Sequence, residues 1–150
     1  MIKFQCLPFD QLTNNQLYEL MKLRQEVFVV EQNCVYLDAD DKDQEAWHLL
    51  GTDQTGQLLA YCRIVPKGIS YPEYVSLGRV ATSSKARKMG LGRELIFQAL
   101  GYCENLFGKT PVKIGAQTYL LRFYDAFGFR SVGEEYLEDG IPHISMIKEW

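Results

Sequence analysis

The stretch Val80-Ala81-Thr82-Ser83-Ser84-Lys85-Ala86-Arg87-Lys88-Met89-Gly90-Leu91-Gly92 constrains the chain most: a strand runs through a polar loop into a helix, with R-x-x-G-x-G at the join. Glycine lets main chain approach a ligand closely, and a helix opening near Gly90 offers unpaired N–H groups and the positive end of its dipole. Lys85, Arg87, Lys88 and Arg93 add cations to that corner, although the chain as a whole carries a formal net charge of -3. A polyphosphorylated ligand is therefore expected. A solvated basic helix start reads the same way in isolation, so context has to decide. A dinucleotide fingerprint would need a third glycine where Leu95 stands, and the G-K-[ST] of a P-loop is absent.

Around that corner the elements follow in a definite order. Ile2 to Leu7 reads as an edge strand, and Thr13 with Gln16 has the form of a capping box. Leu17, Leu20, Met21, Arg24 and Phe28 recur at three- and four-residue spacing, predicting a helix from Asn14 to about Val29. Asn33 to Glu45 has no periodicity and carries Asp38, Asp40, Asp41, Asp43 and Glu45, which predicts a solvated loop. It is not a calcium loop, because Asp43 stands where the turn needs glycine and Leu49 where the ion needs a bidentate acid.

Strands are expected at Ala46 to Leu50, Leu58 to Val65 and Tyr74 to Ala81, as an antiparallel meander. The helix from Gly90 carries Leu91, Leu95, Ile96, Ala99, Leu100 and Cys103 on one stripe, with Gly108 placed to stop it. A strand from Val112 to Ala116, a short helix from about Thr118 to Gly128, and strands near Phe129 to Tyr136 and Ile144 to Lys148 complete the order, the last two joined at Glu138, Asp139 and Gly140.

The length suits one domain over residues 1–150, with 47% apolar residues to fill its core. No apolar run is long enough for a bilayer and the N-terminus lacks a signal-like pattern, so no membrane association is expected. Cys6, Cys34, Cys62 and Cys103 are scattered, with no C-x-x-C pair and two histidines in the chain, so the expectation is reduced thiols, no metal and a cytoplasmic location. The acidic balance argues against nucleic acid as a partner.

This order of elements resembles the GNAT superfamily of N-acetyltransferases over essentially the whole chain. Phe123-Tyr124-Asp125-Ala126-Phe127-Gly128-Phe129 is similar to the F-Y-x-x-x-G-F signature ending that superfamily's last helix. Leu23-Arg24-Gln25-Glu26-Val27-Phe28-Val29-Val30-Glu31-Gln32 and Glu138-Asp139-Gly140-Ile141-Pro142-His143-Ile144 look like its ElaA branch. The resemblance implies an α+β fold, a mostly antiparallel twisted sheet flanked by helices and splayed into a V where Val80 and Val112 to Ala116 diverge. It also implies acetyl-CoA as acyl donor. Val80, Ala81 and Thr82 would present main chain to the pantetheine, and Arg87, Lys88, Met89, Gly90, Leu91, Gly92 and Arg93 would hold the diphosphate.

Acyl transfer to an amine needs a neutral amine, a polarised thioester carbonyl and a proton for the departing thiolate. The resemblance places Tyr124 beside the sulfur as the acid; by residue pattern alone, Leu120, Phe123, Tyr124 and Phe127 form an ordinary apolar stripe. A main-chain N–H near Val80 would polarise the carbonyl. Glu31 and His143 are the candidate bases, against plain readings as a surface acid and a strand-end histidine. His48, beside Trp47, reads as structural, and no cysteine has a histidine close in sequence, which disfavours a covalent route. The acceptor class is a small or lysine-like amine, with the Asp38 to Glu45 loop as a feature that would draw cations. A non-catalytic acyl-CoA-binding module is the alternative, and a homodimer through the last strands is compatible with the pattern.

Overall fold

A computed structural model describes residues 1–150. Seven strands form: β1 (Lys3–Pro8), β2 (Trp47–Thr52), β3 (Leu58–Val65), β4 (Val75–Thr82), β5 (Val112–Gln117), β6 (Phe129–Glu138) and β7 (Ile141–Lys148). They join one sheet in the order β1-β2-β3-β4-β5-β7-β6, every pairing antiparallel except that of β4 with β5. Three helices flank it: α1 (Asn14–Arg24), α2 (Leu91–Phe107) and α3 (Leu121–Asp125).

Helix α1 starts where the capping box requires, since Thr13 Oγ1 accepts from the Gln16 N–H at 3.1 Å and Gln16 Oε1 accepts from the Thr13 N–H at 2.9 Å. Its apolar stripe, with Leu20 and Leu23 continued by Val27, packs on Leu50, Leu58, Tyr61 and Ala81 on one face of the sheet. The regular helix stops earlier than predicted: Gln25–Glu31 is a π-helix. Such wide turns shift the facing of each later residue, and here Phe28 and Glu31 come to line a cleft.

On the opposite face Leu91, Leu95, Ile96, Ala99, Leu100 and Cys103 of α2 are all buried against Cys62, Ile64, Leu77 and Ile114. Burying each large aliphatic side chain there stabilises the fold by about 1.5–3 kcal/mol. Covered on both faces, β3 is buried at all its positions. Gly90, at φ +69, is left-handed, so a side chain at that joint would strain the turn into α2. Gly108, at φ +78, closes the other end, its N–H donating to Glu104 O at 2.9 Å.

Two irregularities of β4 open the site. Only Val75 and Ser76 pair with β5, opposite Val112 and Lys113, after which the strands separate and leave the β4 main chain unpaired on that side. Toward β3, Tyr61 pairs with Ala81 and Arg63 with Gly78, so β4 carries one extra residue and Arg79 and Val80 have no ladder partner. This is a β-bulge, with Arg79 at φ +50.

The segment Asn33 to Glu45 departs from the solvated loop predicted for it. Asp38 and Asp43 are buried, and both are bonded to Arg24, which is itself fully buried.

Candidate active site

A cleft of about 1250 Å³ follows the separation of β4 from β5 and passes from the start of α2 to the β6–β7 hairpin. Its walls bring together Val80, Thr82, Arg87 and Gly92 of the basic corner with Tyr124, Glu31 and His143.

The corner is built by a 3-10 turn, Ser84–Met89, whose first N–H groups are capped when Ser83 Oγ accepts from the Lys85 N–H at 3.3 Å. Arg87, Lys88, Met89, Gly90 and Arg93 are exposed there. Ala81 and Leu91 instead bury their side chains in the two cores, leaving only main chain for a ligand. The Arg87 guanidinium donates to Thr82 O at 3.1 Å and ion-pairs with Glu31, so one of the two candidate bases is tied to the corner. A Cβ on Gly92 would meet Phe123 at 3.8 Å, an ordinary contact, so glycine there serves the open approach to main chain rather than packing.

The F-Y-x-x-x-G-F run makes one aromatic cluster. Phe123 and Phe127 pack edge-on at 5.5 Å between centroids, Tyr124 meets Phe123 at 5.1 Å and Phe129 at 5.8 Å. Gly128, at φ +94, ends the helix, and a Cβ there would lie 2.9 Å from Lys148 Nζ, which donates to Phe127 O at 2.8 Å. Tyr124 is buried yet borders the cleft, and burial pushes its phenol well above the usual range. It holds its proton at neutral pH and can donate it.

The wall beneath α1 is ionic. Arg24 Nε donates to Asp38 Oδ2 and Nη1 to Asp43 Oδ1, each at 2.7 Å. Arg63 reaches Asp40 with both terminal nitrogens, at 2.7 and 2.8 Å, and Asp43 at 2.9 Å; Arg79, from the bulge, reaches Asp38 at 2.7 Å. Burial alone pushes the Asp40 and Asp43 carboxyls up, but the guanidinium groups outweigh it and hold both below the ordinary carboxylate range. Asp38, Asp40 and Asp43 are therefore paired within the protein, which leaves only the exposed Asp41 and Glu45 of that loop to draw cations; the partners, Arg24, Arg63 and Arg79, are distant in sequence and invisible to a local reading.

His48 serves the same wall. Its Nε2 lies 2.9 Å from Asp43 O, a pure acceptor, so Nε2 carries the hydrogen and Nδ1 accepts from the Tyr61 hydroxyl at 2.7 Å. Burial lowers its pKa and keeps it neutral. The structural reading of His48 holds.

His143 lies on β7 between Gln117 and Tyr136, its Nδ1 2.7 Å from Ile141 O and its Nε2 3.5 Å from Glu138 Oε2. All four cysteines are free. Burial pushes the thiols of Cys6 and Cys103 up to about 12 and that of Cys62 higher still, which makes them poor nucleophiles. Cys34, neither in a strand nor in a helix, borders the cleft near Asp139 O at 3.5 Å.

The acetyltransferase (GNAT) domain family matches residues 10–150. The chain belongs to the GNAT family. Within it the chain stands close to ElaA of Escherichia coli K12, to which it is 44% identical over 99% of its own length and 97% of the relative's. A UPF0039 protein of Synechocystis is 44% identical over 93% of this chain and 90% of that one. Among solved structures, an acyl-CoA N-acyltransferase from Pseudomonas aeruginosa superposes with a TM-score of 0.93 at 43% identity, covering 99% of both chains. E. coli ElaA superposes at 0.92 and 42%, covering 99% of this chain and 100% of that one. The mostly antiparallel sheet flanked by helices is thus the GNAT fold, and a CoA thioester is the ligand class that fold implies.

Tyr136, Tyr71 and Gly115, which line the same cleft, carried no signal in the sequence. The bulge at Arg79 and Val80 carried none either, since its register exists only across the sheet.

Proposed function

We propose that this protein transfers an acetyl group from acetyl-CoA to a primary amine by direct attack within a ternary complex. The observation that carries the reading is the meeting in one cleft of the basic helix start, the unpaired edge of β4 and the Tyr124 phenol.

Arg87 and the main chain around Gly90 and Gly92 suit the diphosphate, with Lys88 and Arg93 exposed beside them for the remaining phosphate. The bare edge of β4 from Val80 to Thr82 suits the pantetheine amides, which would complete its hydrogen bonding as an added strand. At the bulge the ladder releases the main chain of Val80, a fixed donor that can stabilise the oxyanion without reorganising. Tyr124 then protonates the departing thiolate. Of the two candidate bases, His143 has no lysine or arginine against its ring, its Nε2 lying 3.5 Å from the Glu138 carboxylate, whereas Glu31 is engaged by Arg87.

Thiol release from acetyl-CoA, followed across a panel of primary amines, tests this. Wild type is expected to release thiol with at least one amine, and Tyr124→Phe to bind acetyl-CoA normally while turning over at least about 100-fold more slowly. Binding without release for every amine would instead leave a non-catalytic acyl-CoA-binding module.

A further inference from the structure

The cleft is lined by four carboxylates, and they are not equivalent. Glu31 is paired with Arg87, and Asp40 with Arg63 and Arg79. Glu138 and Asp139, both on the β6–β7 hairpin, have no lysine or arginine partner. Net negative charge facing the cleft is therefore concentrated at the hairpin, the opposite end from the phosphate corner.

Aromatic groups and a proton acceptor lie beside it. The His143 ring stacks on Tyr136 at 5.8 Å between centroids and 26°. Since Ile141 O can only accept, His143 Nδ1 carries a hydrogen, and Nε2 lies 3.5 Å from Glu138 Oε2. A Cβ on Gly115 of β5 would lie 2.6 Å from Tyr136 Oη and 3.8 Å from Tyr71 Oη. Gly115 has no left-handed backbone to require glycine, so what the missing side chain provides is room for the Tyr136 hydroxyl.

We infer that Glu138 and Tyr136 form an ammonium subsite in which a cationic primary amine is held next to His143 Nε2; the neighbouring Tyr71 ring is already engaged by the Lys113 ammonium, 4.7 Å from its centroid. A carboxylate beside an aromatic ring favours a cation by charge and by the ring quadrupole together. The inference rests on the acetyl-transfer reading and supplies its acceptor class. The proton balance closes: His143 takes one proton from the ammonium, and the neutral amine forms the N–C bond as the C–S bond breaks. Tyr124 protonates the thiolate and is restored by the second nitrogen proton, and the third stays in the amide. Gly115 acts as a positioning residue, through the room it leaves for Tyr136. His143 is stacked on Tyr136, lies 3.5 Å from Glu138 of its own hairpin and pairs with Gln117 of β5; the charged group nearby on β5 is Lys113, whose ammonium lies over the Tyr71 ring.

With only two histidines, nitrogen-15 NMR of the imidazoles reads the subsite directly. Wild type is expected to show a hydrogen on Nε2 of His48 and on Nδ1 of His143, which distinguishes the two rings. n-Butylammonium should perturb the His143 signals alone, and n-butanol neither. Glu138→Gln, at an exposed position, should weaken the n-butylammonium response about threefold and raise the KM of the amine equally with kcat held. Gly115→Ala should displace Tyr136 and abolish the response, and imidazole should restore turnover to His143→Ala. A response unchanged in Glu138→Gln, or equal with n-butanol, would overturn the subsite. Acetyl-CoA binding, measured separately, reports on the underlying reading, because the ammonium titration needs no turnover.

Discussion

The two halves of the sheet differ in what covers them. Strands β2 to β4 lie between α1 and α2, bury β3 throughout, and carry an arginine–aspartate network with a neutral histidine at its edge. Strands β5, β7 and β6 leave β6 exposed at all but its first residue, and their polar groups, His143, Tyr136 and Glu138, face the cleft with few partners. The cleft is thus framed by a wall whose charges are internally cancelled and a floor whose charges remain available for a ligand. Cancelled charge fixes shape; uncancelled charge recognises.

Breaking the wall has the largest expected effect. Arg24→Ala leaves Asp38 and Asp43 buried with one guanidinium each, and should destabilise the fold by about 3 kcal/mol in urea unfolding, whereas removing the exposed Glu138 carboxylate should change stability by less than about 0.5 kcal/mol. Tyr124→Phe belongs to neither half and sharpens the contrast: a loss of turnover near 100-fold, about 2.7 kcal/mol of barrier, with stability almost unchanged because Tyr124 makes no hydrogen bond that its loss would orphan.

Acid should loosen the wall in two stages. The folded pKa of His48 lies below its ordinary 6.5, so the unfolded chain takes up a proton there and stability falls as pH drops through that value. The folded pKa values of Asp40 and Asp43 lie below 3.8, so their contribution, complete above that pH, is lost as pH falls through it. Urea midpoints should decline from pH 8 through 6 to 4 as the His48 stage runs, and decline further at pH 3 as the aspartate stage begins. The smallest effect is at the corner's rim, where Lys88→Ala should weaken acetyl-CoA about threefold with kcat unaltered.

The fold was legible because its signals are local. Strand β3 was read end to end, the stripe of α2 and its stop at Gly108 matched, and the capping box at Thr13 formed as written. The R-x-x-G-x-G corner can be read from sequence because its glycines and cations lie within a few residues, whereas Tyr124 stands out only through the family resemblance, its local pattern being an ordinary apolar stripe. Burial of Asp38 by Arg24 and Arg79, the seat that Gly115 makes for Tyr136, and the bulge at Val80 join residues from different strands, and sequence spacing carries no trace of them. The π turns from Gln25 to Glu31 belong with these, since the apolar spacing through Phe28 is that of a regular helix.

The central claim is that the corner from Arg87 to Gly92 binds the acyl donor. Calorimetric titration of acetyl-CoA into wild type and Gly92→Glu tests it most directly, because residue 92 has an ordinary backbone and space for a side chain, so the variant should fold. Binding by wild type, lost in a Gly92→Glu protein with an unchanged circular dichroism spectrum, is the predicted result. Equal binding by both, or none by folded wild type, would contradict the account.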